Sequence, residues 1–158
     1  KESPRRLTFL FVGFSDEETG LRGSRAYVKA LNKEEKSSIT AMVNIDCLGL
    51  GPTKIEVNLS NKQLVYAAWI MAQKLKLQIA GVNFGRVGMS DARSFRDIKV
   101  PTLDFHSVTQ ETLPIVNGRR DTAAALRMED YVDSYRLIGA YLAYLDETWG
   151  KQAVPPSQ

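Results

Sequence analysis

At 158 residues, with 44% hydrophobic and 25% charged residues, the chain is long enough for one domain with a real apolar core and has the composition of an ordinary globular protein. Its net charge of +3 comes from basic residues interleaved with acids, which argues for a solvated surface and against a nucleic-acid-binding stripe. No run approaches the ~18 apolar residues of a membrane span, and a single cysteine, Cys47, excludes an internal disulfide and leaves the compartment open. The chain begins Lys1-Glu2-Ser3-Pro4 and reads as a processed product, so the absence of a signal peptide says little about location.

The apolar run Leu7–Phe14 predicts a strand buried on both faces of a parallel sheet. After an acidic turn at Ser15–Gly20, helical spacing covers Ser24–Leu31. The β-branched stretch Ser38–Asp46 predicts a strand, and Lys54–Leu59 alternates like a half-exposed or edge strand. Ser60 is the expected N-cap of a helix over Lys62–Leu75, where Leu64, Ala67, Ala68, Met71 and Leu75 repeat at three and four. A short strand at Gln78–Val82, a short helix at Asp91–Ile98 with Phe95 inward, and a strand at Val100–Phe105 follow. An irregular stretch then runs from His106 to about Arg127. The last helix, Glu129–Trp149, should present Val132, Tyr135, Ile138, Leu142 and Leu145 on one stripe, with Gly150 as its stop and residues 151–158 as a disordered tail. No repeat or low-complexity segment interrupts residues 1–150.

Strand–helix alternation predicts an α/β domain of three layers with a mostly parallel sheet. In such sheets functional groups gather beyond the carboxyl ends of strands, which singles out Ser15–Glu18, Asp46 and His106. Asp16, Glu17 and Glu18 read two ways. They form a solvated acidic turn, or they divide two tasks, one carboxylate binding a cation and its neighbour accepting a proton. Asp46 closes an apolar strand and is either a cap or buried ion-pair member, or a ligand. Cys47, next along the strand, should face the opposite side as a small core residue.

The segment FVGFSDEETGLRGSRAYVKAL resembles the EE-x-GL-x-GS signature of the zinc aminopeptidase and glutaminyl-cyclase-like metallo-exopeptidases. NIDCLG at Asn44–Gly49 is similar to their N-x-D-x-x-G strand end. Ser90-Asp91 with SFRDIKVP is similar to their SD…F…GIP stretch, and RRDT at Arg119–Thr122 to the end of their H-T-P-x-D-T. The resemblance covers nearly the whole chain. It implies a pair of zinc ions, with Glu17 as general base, Glu18 ligating one zinc and Asp46 the other, acting on the N-terminal residues of peptides. Two such metals polarise a peptide carbonyl and supply hydroxide at neutral pH.

The departures are as informative. The family's first histidine ligand and bridging aspartate lie upstream of the EE motif, and its last histidine falls where this chain has Asn117. Of five expected ligands, Glu18 and Asp46 remain, so weak or incomplete zinc binding is expected. His106, the single histidine, is a rim residue or a substitute ligand on this reading. The family's sheet includes strands from the upstream half, so the sheet here should be incomplete, to be closed by that half or by a second copy of the chain. Two functions follow: the C-terminal portion (residues 1–150) of a zinc aminopeptidase-like hydrolase, inactive alone, or an inactive peptidase-like domain serving binding or assembly. A nucleotide-binding domain is disfavoured, because GLRGS is too sparse for a phosphate loop.

Overall fold

The structure, a computed structural model, describes residues 5–83 and 88–153. Its elements are α1 (Arg22–Ala30), α2 (Lys33–Ser38), β1 (Met42–Ile45), β2 (Lys54–Glu56), α3 (Lys62–Leu75), β3 (Ala80–Val82), α4 (Ala92–Asp97), β4 (Thr102–His106) and α5 (Met128–Ala153), with a 3₁₀ turn at Ala123–Ala125. The sheet has the order β1-β4-β2-β3, with β1–β4 and β2–β3 parallel and β2–β4 antiparallel. Two of three pairings are therefore parallel, in a three-layer α/β arrangement.

On one face Ile55, Leu103 and Phe105 pack against Leu64, Ala67 and Ala68 of α3 and Leu137, Ile138, Tyr141 and Leu145 of α5. The Phe105 and Tyr141 rings meet edge to face at 5.3 Å between centroids. On the other face, Val28 of α1 and Phe95 of α4 close over Val100, with Phe14 and Tyr27 against Phe95. Strand β4 lies at the centre, and all five of its residues are buried.

The α3 boundaries match the apolar periodicity, but its cap does not. Asn61 is the N-cap, its side chain accepting from the Gln63 and Leu64 amides. Ser60 is instead buried and accepts a hydrogen bond from the Asp104 amide. Helix α2 carries no apolar period and was not expected; it is started by a reciprocal cap between Asn32 and Glu35.

Strand β2 is an inner strand rather than an edge, since Ile55 and even Glu56 are buried. The α5 stripe begins later than expected. Val132 and Tyr135 are exposed, and the buried line runs through Ser134, Leu137, Ile138, Tyr141 and Leu145. Gly150 does not stop α5, which continues to Ala153, so residues 151–153 are helical and only 154–158 of the expected tail lie outside the described residues. A Cβ at Gly150 would stand 2.4 Å from Arg6 Cβ. The glycine lets the N-terminal segment cross the helix, where Asp146 accepts from the Arg6 and Leu7 amides at 2.9 and 2.7 Å.

The largest departure is Leu7–Phe14. It forms no ladder with any described strand, and Leu10, Phe11 and Val12 are exposed by 71%, 79% and 41%. An apolar run becomes a buried strand only when neighbouring edges are there to pair with it. Here β1 is the terminal strand on that side, and a cavity of about 1440 Å³ lies between its edge and this segment.

Candidate active site

The turn after Phe14 sets out the first carboxylates. Gly20 and Leu21 amides donate to the Glu17 carbonyl, Arg22 N–H to Asp16 O, and Gly23 N–H to Ser15 O, folding residues 15–23 into a compact knot. Asp16 and Leu21 have positive φ (55° and 60°), as does Gly20 at 97°. Gly23 is required by contact, because a Cβ there would lie 2.5 Å from Ser15 O. Leu21 is 1% exposed, and Ser24, fully buried, bonds Ser94 of α4 at 2.8 Å. The glycine, leucine and serine of this stretch thus brace the turn that carries Glu17 and Glu18.

The second contribution comes from the carboxyl end of β1. Asp46 N–H donates to Phe105 O at 3.1 Å, which extends the β1–β4 pairing to the point where the aspartate emerges. Its side chain is exposed, so the cost of burial expected for a strand-end carboxylate does not arise. Cys47 follows in left-handed conformation (φ 47°) and is half-buried. Its thiol is pushed up to about 12, by burial first and then by the neighbouring Asp46 carboxylate, with which it shares a hydrogen bond. The turn brings the two side chains together and overturns the expectation that they would face opposite ways.

Asn117 arrives from the loop between β4 and α5. It has φ 59°, a conformation asparagine tolerates better than most residues. Its amide N–H donates to Asp121 Oδ2 at 2.9 Å, and its side-chain Nδ2 donates to Glu18 Oε1. It meets Glu18 as a hydrogen-bond donor, with N–H rather than carbonyl oxygen facing the carboxylate.

Glu17, Glu18, Asp46, Asn117 and Asp121 all line the same end of the 1440 Å³ cavity, together with Asp91 at the start of α4. Glu17 is held up to about 7. Burial is the largest cause, followed by the charges of Glu18, Asp46 and Asp91. Asp91 Oδ1 is buried with no hydrogen-bond partner among the described residues. Of the described basic side chains, Arg6 alone lines the cavity, and it belongs to the crossing over α5. Among the described residues, the site is therefore a set of carboxylates with no cation acting against the mutual repulsion at Glu17.

His106 does not share the cavity with this cluster, although the Asp46 charge acts on it. It lies within β4, 6% exposed. Burial first, and then the Lys54 charge, lower its proton affinity to about 4, so its imidazole is neutral near pH 7. Asp91 and Asp121 were not singled out from sequence. The signal was in the Ser90-Asp91 and RRDT stretches, each of which sets a carboxylate in a loop beside the cavity.

Zinc takes four protein or water ligands, in protein sites dominated by nitrogen and sulfur with some carboxylate. Among the described residues no group of three or more His, Cys, Asp and Glu side chains is arranged to hold a metal ion. Two carboxylates and an amide that presents its N–H do not make such a set, so the described residues by themselves do not fit zinc.

The model of peptidase family M28 matches residues 1–140. The fold is similar to that of a zinc aminopeptidase from Bacillus subtilis, with a TM-score of 0.73 at 20% identity over 83% of this chain and 34% of that one. It is also similar to a glutaminyl cyclase from an Acidobacteriales bacterium, with a TM-score of 0.67 at 14% identity over 80% of this chain and 46% of that one. Nonribosomal peptide synthetase 2 of Cochliobolus heterostrophus is 29% identical over 151 residues, which is 92% of this chain and 3% of that protein. The chain thus spans less than half of each of these relatives. On the match of its residues 1–140, the chain belongs to peptidase family M28.

Proposed function

We propose that the chain is the C-terminal portion of a zinc-dependent aminopeptidase-type hydrolase, in which Glu17 is the general base. The observation that carries this reading is the proton affinity of Glu17, about 7, on a carboxylate at the end of a large cavity. A base poised near the working pH takes up a proton readily and gives it back readily. Glu17 would accept the proton of a water whose oxygen attacks the peptide carbonyl carbon. It would return that proton to the departing amine as the C–N bond breaks, leaving the carboxyl carbon with the water oxygen. On this reading Glu18 and Asp46 are the chain's share of the metal ligands, the others lying outside residues 5–153. The fold likeness to the Bacillus subtilis enzyme and the family match support peptides as the substrate class.

The test is turnover of chromogenic amino-acid amides. The chain alone, with or without added zinc, should show none. An assembly that supplies the rest of the fold should hydrolyse them, lose activity with Glu17→Gln, and gain with Asn117→His. Turnover indifferent to Glu17→Gln contradicts the proposed base.

One observation favours a second reading, a peptidase-like domain without catalysis that serves binding. Asn117 Nδ2 already donates to Glu18, satisfying a carboxylate oxygen that a ligand role would need. Titration calorimetry of chelator-stripped protein with zinc separates the two once the fold is completed. Tight binding supports the hydrolase, and its absence supports the binding domain.

A further inference from the structure

The loop between β4 and α5 carries a pair of residues with a chemistry of their own. Asn117 is the single asparagine of the chain that precedes a glycine, and both Asn117 and Gly118 are exposed. An asparagine side-chain amide is open to attack by the backbone nitrogen of the next residue, and glycine leaves that nitrogen uncrowded because it has no Cβ. Asn117 also holds a left-handed conformation, φ 59°, which a non-glycine residue keeps while its surroundings hold it there. Those surroundings are hydrogen bonds on an exposed loop. Asn117 N–H donates to Asp121 Oδ2 at 2.9 Å, Gly118 N–H to Ile115 O at 2.9 Å, and Asn117 Nδ2 to Glu18 Oε1. Solvent-exposed loop bonds of this kind open locally at little cost, and each opening frees the Gly118 nitrogen.

We propose that Asn117-Gly118 is a self-modifying site, at which Asn117 gives up its side-chain nitrogen and the contact with Glu18 changes from a hydrogen bond to like-charge repulsion. The Gly118 nitrogen loses its proton to solvent hydroxide and bonds Asn117 Cγ. The Cγ–Nδ2 bond breaks, and the nitrogen leaves as ammonia with a proton taken from water, which closes a cyclic imide. Water then opens the imide. Cleavage of the Cγ–N bond restores the main chain with an aspartyl side chain, and cleavage at the main-chain carbonyl leaves an isoaspartyl link routed through the side chain. Overall a water is consumed and an ammonia released. The atom lost, Nδ2, is the donor that Glu18 accepts from. The carboxylate gained stands beside Glu18, at a cavity end that already holds Glu17, Asp46, Asp91 and Asp121.

Neither step uses a metal or a bound peptide, so the proposal stands apart from the hydrolase reading and its test does not use turnover. The full folded chain is held in mildly alkaline and in mildly acidic buffer, then mapped by peptide mass spectrometry with an assay for isoaspartate. Conversion should appear at position 117, give both products, and run several-fold faster in alkali, because the attacking nitrogen must lose its proton. Gly118→Ala, whose Cβ would stand 3.1 Å from Ile115 O and 3.2 Å from Pro114 O, should slow it several-fold. Asn117→Gln, which must close a larger ring, should stop it. Asn117→Asp should speed amide exchange at Gly118 and Asp121 several-fold, and Glu18→Gln in that background should reverse the gain. A folded chain that stays intact at position 117 while the urea-unfolded chain converts overturns the proposal, since the loop then locks the amide. Formation of aspartate alone overturns the cyclic route, and exchange unmoved by Asn117→Asp overturns the switch at Glu18.

Discussion

Asp104 and Glu17 are two carboxylates of this domain whose surroundings differ in kind. Asp104, inside β4, accepts from the Ser90 hydroxyl and pairs with the Arg96 guanidinium at 3.2 Å. Burial raises its proton affinity, and Ser90 and Arg96 offset only part of that rise. Glu17 has the opposite company: burial raises it first, and the charges of Glu18, Asp46 and Asp91 add to that rise. A buried acid supplied with donors and a cation holds a fold together. An acid crowded by other acids at a cavity wall costs stability and is kept ready to change protonation state. That contrast supports the proposed role of Glu17.

The contrast can be broken first on the Asp104 side. Arg96→Met should cost about 3 kcal/mol, because it leaves a buried charge without its cation. Arg96→Met combined with Asp104→Asn should recover most of that loss in urea unfolding. If the single variant is neutral, Asp104 is not held by this pair and the comparison loses one of its terms.

Next in size is the turn that positions Glu17, the proposed base. Gly23→Ala places a Cβ 2.5 Å from Ser15 O and 2.7 Å from Ser15 N, which should cost about 2 kcal/mol. The midpoint of Glu17 should fall toward ordinary values as the turn opens and burial is lost. Thermal unfolding and the Glu17 titration measure the two effects separately.

Glu17, like Asp104, is raised, but with no donor or cation among the described residues pulling it back. Its proton affinity is raised from 4.5 in the unfolded chain to about 7 in the fold. Between those values the folded state holds more protons, so this group's contribution to stability falls as pH rises through the window. Glu17→Gln should therefore stabilise the chain at pH 8 by about 1 kcal/mol, after allowance for solvent screening, and change little at pH 5. Urea midpoints at the two pH values check this, and destabilisation at pH 8 would contradict it.

The smallest effect belongs to the exposed bond between Asn117 and Glu18. Asn117→Ala should shift stability by no more than about 0.5 kcal/mol, read from the same denaturant curves. A larger loss would mean that the loop from Ser107 to Arg127 is pinned at this point.

The sequence carried the packed side of the molecule well. Helix α3 was legible to its boundaries because Leu64, Ala67 and Ala68 recur at helical spacing and are in fact buried. The family motifs located the acidic turn and Asp46, which the fold brings to one cavity. What failed depended on neighbours. The run Leu7–Phe14 reports hydrophobicity but not whether a partner strand stands beside it. Lys54–Leu59 looked like an edge because it alternates, yet Glu56 is buried within the sheet. Gly150 looked like a stop, and it serves instead as a point of close contact with Arg6. The carboxylates Asp91 and Asp121 join the site through loops whose course no local pattern fixes.

The central proposal is that burial and the crowding of carboxylates around Glu17 suit it to act as a base near neutrality. Carbon-13 titration of the Glu17 carboxyl measures this directly, in the chain and in Asp91→Asn. The account predicts a midpoint of about 7 that falls when Asp91 loses its charge. A midpoint near the ordinary 4.5, or one unmoved by Asp91→Asn, would contradict it.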